Sequence, residues 1–141
     1  MSTVRDVMTN EVMYIESDTS IQTAAERMRA HDVGALPVVH EDRVVGMVTD
    51  RDIVVRGLAE GCSPRETHVD RVMSEKPVFC HDGEGLREVA ERMKEHRVRR
   101  LVVLDGDEKL AGVCSLGDIA TATSNEIGGD VLSKVSEPTH A

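Results

Sequence analysis

Two short stretches of this chain place a hydroxyl and a carboxylate at a spacing that suits a phosphate and a ribose. The first is Gly46-Met47-Val48-Thr49-Asp50-Arg51-Asp52, and the second is Gly112-Val113-Cys114-Ser115-Leu116-Gly117-Asp118. Each runs glycine, two apolar residues, Thr or Ser, two further residues, then Asp. The apolar part predicts the end of a strand, and the hydroxyl predicts the start of a helix. There it lies beside unpaired backbone N–H groups and the positive end of the helix dipole, a place that suits a phosphate oxygen. The Asp follows about one turn later and can accept the two hydrogen bonds that a vicinal diol donates. A single copy would be explained by helix capping alone. Two copies at equivalent positions point to a ligand.

The equivalence follows from an internal duplication. At a shift of 65 residues Val4 meets Val69, Val7 meets Val72, Met8 meets Met73, and Tyr14 meets Phe79, the only two aromatic residues. Ala25-Glu26-Arg27-Met28 meets Ala90-Glu91-Arg92-Met93, and His31, Val33, Leu36 and Val38 meet His96, Val98, Leu101 and Val103. One inserted residue, Glu108, moves the shift to 66, and Gly46, Asp52 and Ile53 then meet Gly112, Asp118 and Ile119. A repeat held in register over most of the chain governs every other reading.

Each copy predicts the same elements. A strand over 12–15 and a polar turn over 16–19 precede the stripe Ile21, Ala24, Ala25 and Met28, which is helical in period. Thr19 and Gln22 have the spacing of a capping box. Leu86, Val89, Ala90 and Met93 repeat the stripe. Strands are predicted at 35–39 and 101–104, tight turns at 41–43 and 105–109, and second strands at 44–49 and 110–115, each entering a helix. The expected class is α+β, two β-α-β-β-α repeats. The expected divisions are 1–60 for the first repeat with its N-terminal segment, 61–68 for a linker, 69–123 for the second repeat and 124–141 for a fraying tail.

Composition narrows the function. With one Tyr, one Phe and no Trp the core must be aliphatic, and the aromatic platforms of single-strand nucleic-acid binding are missing. A net charge of −9 opposes binding to a nucleic-acid duplex. Arg97, Arg99 and Arg100 form one basic cluster, enough for a few phosphate oxygens. No apolar run reaches the roughly 18 residues of a membrane span. The first eleven residues carry Arg5, Asp6 and Glu11 and lack the apolar stretch of a signal peptide, so no membrane and a cytoplasmic location are expected. Cys62, Cys80 and Cys114 are odd in number without a CxxC pair, which predicts reduced thiols.

Other constellations read as structure. His31 and His96 fall near helix C-termini, where the dipole favours imidazolium. Cys80-His81 and Cys62 with His68 lack zinc-ligand spacing, so no metal is expected. No Ser-His-Asp arrangement or P-loop is present, and Asp50 and Asp52 are explained as helix-start acids, so no catalysis is expected. Met8, Met28, Met73 and Met93 read as core, as does Cys114. Cys62, in the linker, is the best candidate for an exposed thiol.

The order of elements and the Gly-h-h-[Thr/Ser]-x-x-Asp motif resemble CBS repeats paired as a Bateman module. So do Asp6-Val7-Met8-Thr9, the run His31 to Val39 and the run His96 to Val103. The similarity covers residues 4–123, and the layout resembles stand-alone two-repeat proteins of the bacterial hypoxic-response type. The resemblance implies repeats related by a pseudo-twofold axis, two clefts that bind AMP, ADP, ATP or S-adenosylmethionine without an obligatory cofactor, a regulatory role and a homodimer of modules. By the same resemblance one cleft would use Val113, Ser115 and Asp118 with Thr9, Met13, Val33 and Gly34. The other would use Met47, Thr49, Arg51 and Asp52 with Ser74, Val78 and Val98. Arg99-Arg100 stands where the first repeat has Gly34-Ala35, so Arg99 is expected to clamp phosphate in the Asp118 cleft, with Arg51 a partial substitute in the other. Ile53, Val54, Leu58, Ile119 and Ala120 offer apolar helix faces for assembly. The alternative reading is an interaction or redox-sensing protein that keeps the fold without nucleotide.

Overall fold

A computed structural model describes residues 2–75 and 78–127. The elements run α1 (Val4–Val7), β1 (Ile15–Glu16), α2 (Ile21–His31), β2 (Ala35–His40), β3 (Arg43–Thr49) and α3 (Asp50–Asp52), which continues as a π-helical stretch, Ile53–Leu58. A 3-10 turn (Val69–Arg71), β4 (Ser74–Glu75), β5 (Phe79–His81), α4 (Leu86–His96), β6 (Arg100–Leu104), β7 (Leu110–Ser115) and α5 (Leu116–Ile127) follow. The tail beyond Ile127 lies outside the described residues.

The helices form where the apolar period predicts. Ile21, Ala24 and Met28 of α2 are buried, as are Leu86, Val89, Ala90 and Met93 of α4. Ala25 is exposed although its repeat partner Ala90 is buried. The expected cap at Thr19 is displaced by one residue: Ser20 is the N-cap, and its Oγ accepts the Thr23 N–H at 3.1 Å. Both helices stop at a left-handed residue, Asp32 with φ 52° and Arg97 with φ 55°, at the same repeat position.

One sheet has the order β1-β2-β3-β4, the other β5-β6-β7. In each, the first strand pairs parallel with the second, and the second pairs antiparallel with the third. The β2–β3 turn uses Glu41 and Asp42 at positive φ, the geometry that two-residue hairpins favour. The inserted residue, Glu108, sits in the longer β6–β7 turn with φ 64°. The strand expected at 12–15 is shorter and later, since only Ile15 and Glu16 pair with β2. Tyr14 and Phe79 keep equivalent places at the first strand of each sheet, 46% and 40% exposed.

The compact units differ from the repeats of the sequence. Described residues up to Val12 pack with those from Val78 onward, and residues from Met13 to Glu75 form the other unit. Each repeat's leading segment therefore joins the body of the other repeat. The Val4 N–H donates to the Glu84 carbonyl at 3.0 Å, and the Arg5 N–H to the Asp82 carbonyl at 2.9 Å. At the equivalent places the Val69 N–H donates to the Thr19 carbonyl at 2.8 Å and the Asp70 N–H to the Ser17 carbonyl at 3.3 Å. Burial drives the exchange, for Val4 and Val69 are both fully buried, each in a different core. The linker is also packed rather than loose. Its Pro64 and Thr67 carbonyls accept the Gln22 and Ile21 N–H groups, capping the start of α2.

Candidate functional site

The exchange decides which residues share a motif. In one unit Thr9 lies beside β7: its N–H donates to the Val113 carbonyl at 2.9 Å, and its carbonyl accepts the Val113 N–H at 3.1 Å. In the other, Ser74 pairs with Met47 at the same place on β3. The backbones approach closely because glycine stands next to each contact. A methyl group at Gly112 would lie 2.6 Å from the Thr9 carbonyl oxygen, and one at Gly46 would lie 2.7 Å from that of Ser74.

Beyond these strands each motif turns into its helix. The Thr49 N–H donates to Asp52 Oδ2 at 2.9 Å, and the Asp52 N–H donates back to Thr49 Oγ1 at 3.0 Å. The second motif repeats this, Ser115 N–H to Asp118 Oδ2 at 3.1 Å and Asp118 N–H to Ser115 Oγ at 3.0 Å. Both are reciprocal capping boxes. A capping role therefore does not by itself exclude the ligand contact expected of the motif. The box uses one carboxylate oxygen and holds it still, and Asp118 Oδ1 accepts no hydrogen bond among the described residues.

Thr9, Arg99, Val113, Ser115 and Asp118 share one unit, and Met47, Thr49, Arg51, Asp52 and Ser74 share the other. Arg99 is exposed, and its carbonyl accepts the Leu116 N–H at 2.8 Å, which anchors it to the start of α5. Arg51 is exposed on α3. Met13 and Val33 pack against the core of the Thr49 unit, and Gly34 is exposed there. Val78 and Val98 pack against the core of the Ser115 unit. Those five thus fall in the unit opposite to the motif each was expected to serve.

Sequence reasoning passed over Asp50 as an ordinary helix-start acid. Its N–H donates to the Gly34 carbonyl at 2.9 Å, and its Oδ1 accepts the Arg51 N–H at 2.8 Å. The available signal was the mismatch of Asp50 with its repeat partner Leu116. The expected assembly faces also need correction. Ile53, Ile119 and Ala120 are turned into the cores, whereas Val54, Val55 and Leu58 stand exposed on the π-helical stretch.

Among the described residues no cluster of three metal-ligating side chains is arranged to hold a metal ion, and no helix is long and apolar enough to cross a membrane. Burial pushes the Cys80 and Cys114 thiols up to about 12, which keeps both protonated and unreactive near neutrality. Cys62 is half-buried. Arg92 bonds Glu84, holding that carboxyl below its ordinary value, and also donates to the Phe79 carbonyl at 3.0 Å. This clamp joins the middle of α4 to β5 and to the turn that precedes the helix.

Known proteins resemble this chain in sequence and in fold. The CBS domain profile matches residues 4–58 and 69–125. The chain is 39% identical over 137 residues to the CBS domain-containing protein YhcV of Bacillus subtilis, covering 96% of both. A crystal structure of Hypoxic Response Protein I with two coordinated zinc ions superposes with a TM-score of 0.78 at 36% identity, covering 86% of this chain and 99% of that one. A structure of CBSX2 in complex with AMP, from Arabidopsis thaliana, superposes with a TM-score of 0.75 at 27% identity, covering 89% and 98%.

Proposed function

Since the chain belongs to the CBS domain family and carries that domain twice, we propose that it is a regulatory, non-enzymatic module whose hydroxyl–x–x–Asp motifs bind an adenosine-containing ligand, of the AMP, ADP and ATP class or S-adenosylmethionine. One observation carries the reading. Each capping box fixes its Asp through one oxygen at the start of a helix, in duplicate, and for Asp118 the second oxygen is left for a ribose diol. The AMP held by CBSX2 supports the choice of ligand. Arg99 supplies the phosphate clamp beside Ser115 and Asp118. Ligand-dependent regulation then requires that the two states of the protein bind the ligand with different affinity. The three unpaired cysteines suit a reducing cytoplasm.

Calorimetry with AMP on four proteins tests this. Asp118→Ala and Arg99→Ala are each expected to weaken binding about ten- to a hundredfold, the worth of a hydrogen bond to a charged group. Asp118→Ala also removes half of a capping box and is expected to cost about 1 kcal/mol of stability. Asp118→Asn, which can still accept the Ser115 N–H, separates the effects: it is expected to keep the fold and still bind weakly. Unchanged affinity in folded Asp118→Ala and Asp118→Asn would reduce the motif to a helix cap.

Assembly belongs to the same reading. Val54, Val55 and Leu58 are 54%, 43% and 51% exposed, and we assign them to the interface of a homodimer. Light scattering is expected to give about twice the 15.4 kDa chain mass. A monomer at tens of micromolar would remove the homodimer.

A further inference from the structure

The two motifs differ in what stands at the helix start, and the difference, resting on the adenosine reading above, sorts their ligands by charge. In the Thr49 motif every backbone N–H from Thr49 to Asp52 is taken within the unit. They go in order to Asp52 Oδ2, the Gly34 carbonyl, Asp50 Oδ1 and Thr49 Oγ1, at 2.9, 2.9, 2.8 and 3.0 Å. The Asp50 carboxylate lies over Gly34 as well, for a methyl group there would be 3.1 Å from Asp50 Oδ2. A fixed anion of the protein thus lies where a ligand phosphate would meet the helix start. Arg51 beside it sets one cation against two carboxylates, Asp50 and Asp52.

In the Ser115 motif Leu116 replaces Asp50 and Gly117 replaces Arg51. The Leu116 N–H goes to the Arg99 carbonyl, but among the described residues no side chain takes the Gly117 N–H. Gly117 is exposed and carries no side chain to screen that donor. Arg99 stands at the repeat position of Gly34. One motif therefore offers a backbone donor, and the other brings its own negative charge. Placing a like charge against the unwanted ligand is a general way to build specificity.

We infer that the Ser115–Asp118 motif takes a phosphorylated adenosine, and that Asp50 makes the Thr49–Asp52 motif selective for an adenosine without phosphate, a nucleoside or an adenosyl thioether or sulfonium. Asp50 is a specificity-determining residue and leaves the ribose contact to Asp52.

Calorimetry with AMP and with adenosine tests this on the protein carrying Asp118→Ala, which leaves only the Thr49 motif intact. That protein is expected to bind adenosine about tenfold or more tighter than AMP. Adding Asp50→Asn, which keeps the acceptor and removes the charge, is expected to tighten AMP about tenfold and change adenosine less than about twofold. Equal preference for the two probes, loss of adenosine binding in the Asp118→Ala protein, or no response of AMP to Asp50→Asn would overturn the inference while the adenosine reading stood. Binding of neither probe by the unsubstituted protein would remove both.

Discussion

Gly112→Val is expected to lower stability by about 3 kcal/mol, at the upper end of what overpacking costs. For a chain of this size that is roughly a 10 °C fall in melting temperature. Strand propensity alone would give the opposite sign, because valine suits a strand better than glycine. The atom in the way decides the matter. The first carbon of the new side chain would lie 2.6 Å from the Thr9 carbonyl oxygen, which is backbone and already accepts the Val113 N–H. Relief requires breaking that pair and drawing the leading segment off β7, which would lift Val4 out of its core. Gly46→Val is expected to act alike, since the Ser74 carbonyl and the Met73 sulfur lie 2.7 and 2.6 Å from the same point. Gly106→Ala is the control: nothing lies within 4 Å, and a change within about 0.5 kcal/mol is expected. Urea unfolding followed by circular dichroism reads all three. Equal stability of Gly112→Val and Gly106→Ala would show that the leading segment does not lie on β7.

Leu101→Ala and Leu36→Ala are each expected to cost about 3 kcal/mol, from lost burial plus an unfilled cavity. The residues are repeat partners, 2% and 1% exposed, and each sits in the core cluster of its own unit. Similar costs at the two positions are expected, because the two residues are equally buried at equivalent places in their units. Arg87→Ala, on an exposed residue of α4, is expected to cost well under half as much in the same assay. A Leu101→Ala protein unfolding at the urea midpoint of the unsubstituted chain would contradict the burial of β6.

The duplication made much of this fold legible before any coordinates. Paired positions such as Leu36 and Leu101, or Met28 and Met93, could be placed in equivalent core sites because helical and strand periods state which face is apolar. The hairpins, the strand-to-helix order and the two hydroxyl–x–x–Asp caps were legible for the same reason, since they depend on residues within a few positions of one another. Residues whose neighbours lie far off in the chain were misjudged. Ala25 shares its stripe with Ala90 yet stays exposed, and Ile53, Ile119 and Ala120 turned inward although their helices looked free.

The sequence by itself determined the repeat, the strand-to-helix order and the capping pairs Thr49 with Asp52 and Ser115 with Asp118. Tertiary structure alone decided that each leading segment completes the other repeat's body, because burying Val4 and Val69 outweighs nearness in the chain. It likewise decided that Asp50 meets Gly34, sixteen positions away, while Leu116 at the same repeat position meets Arg99. A carboxylate acts on whatever the fold brings within a few ångströms, and no local pattern records that distance.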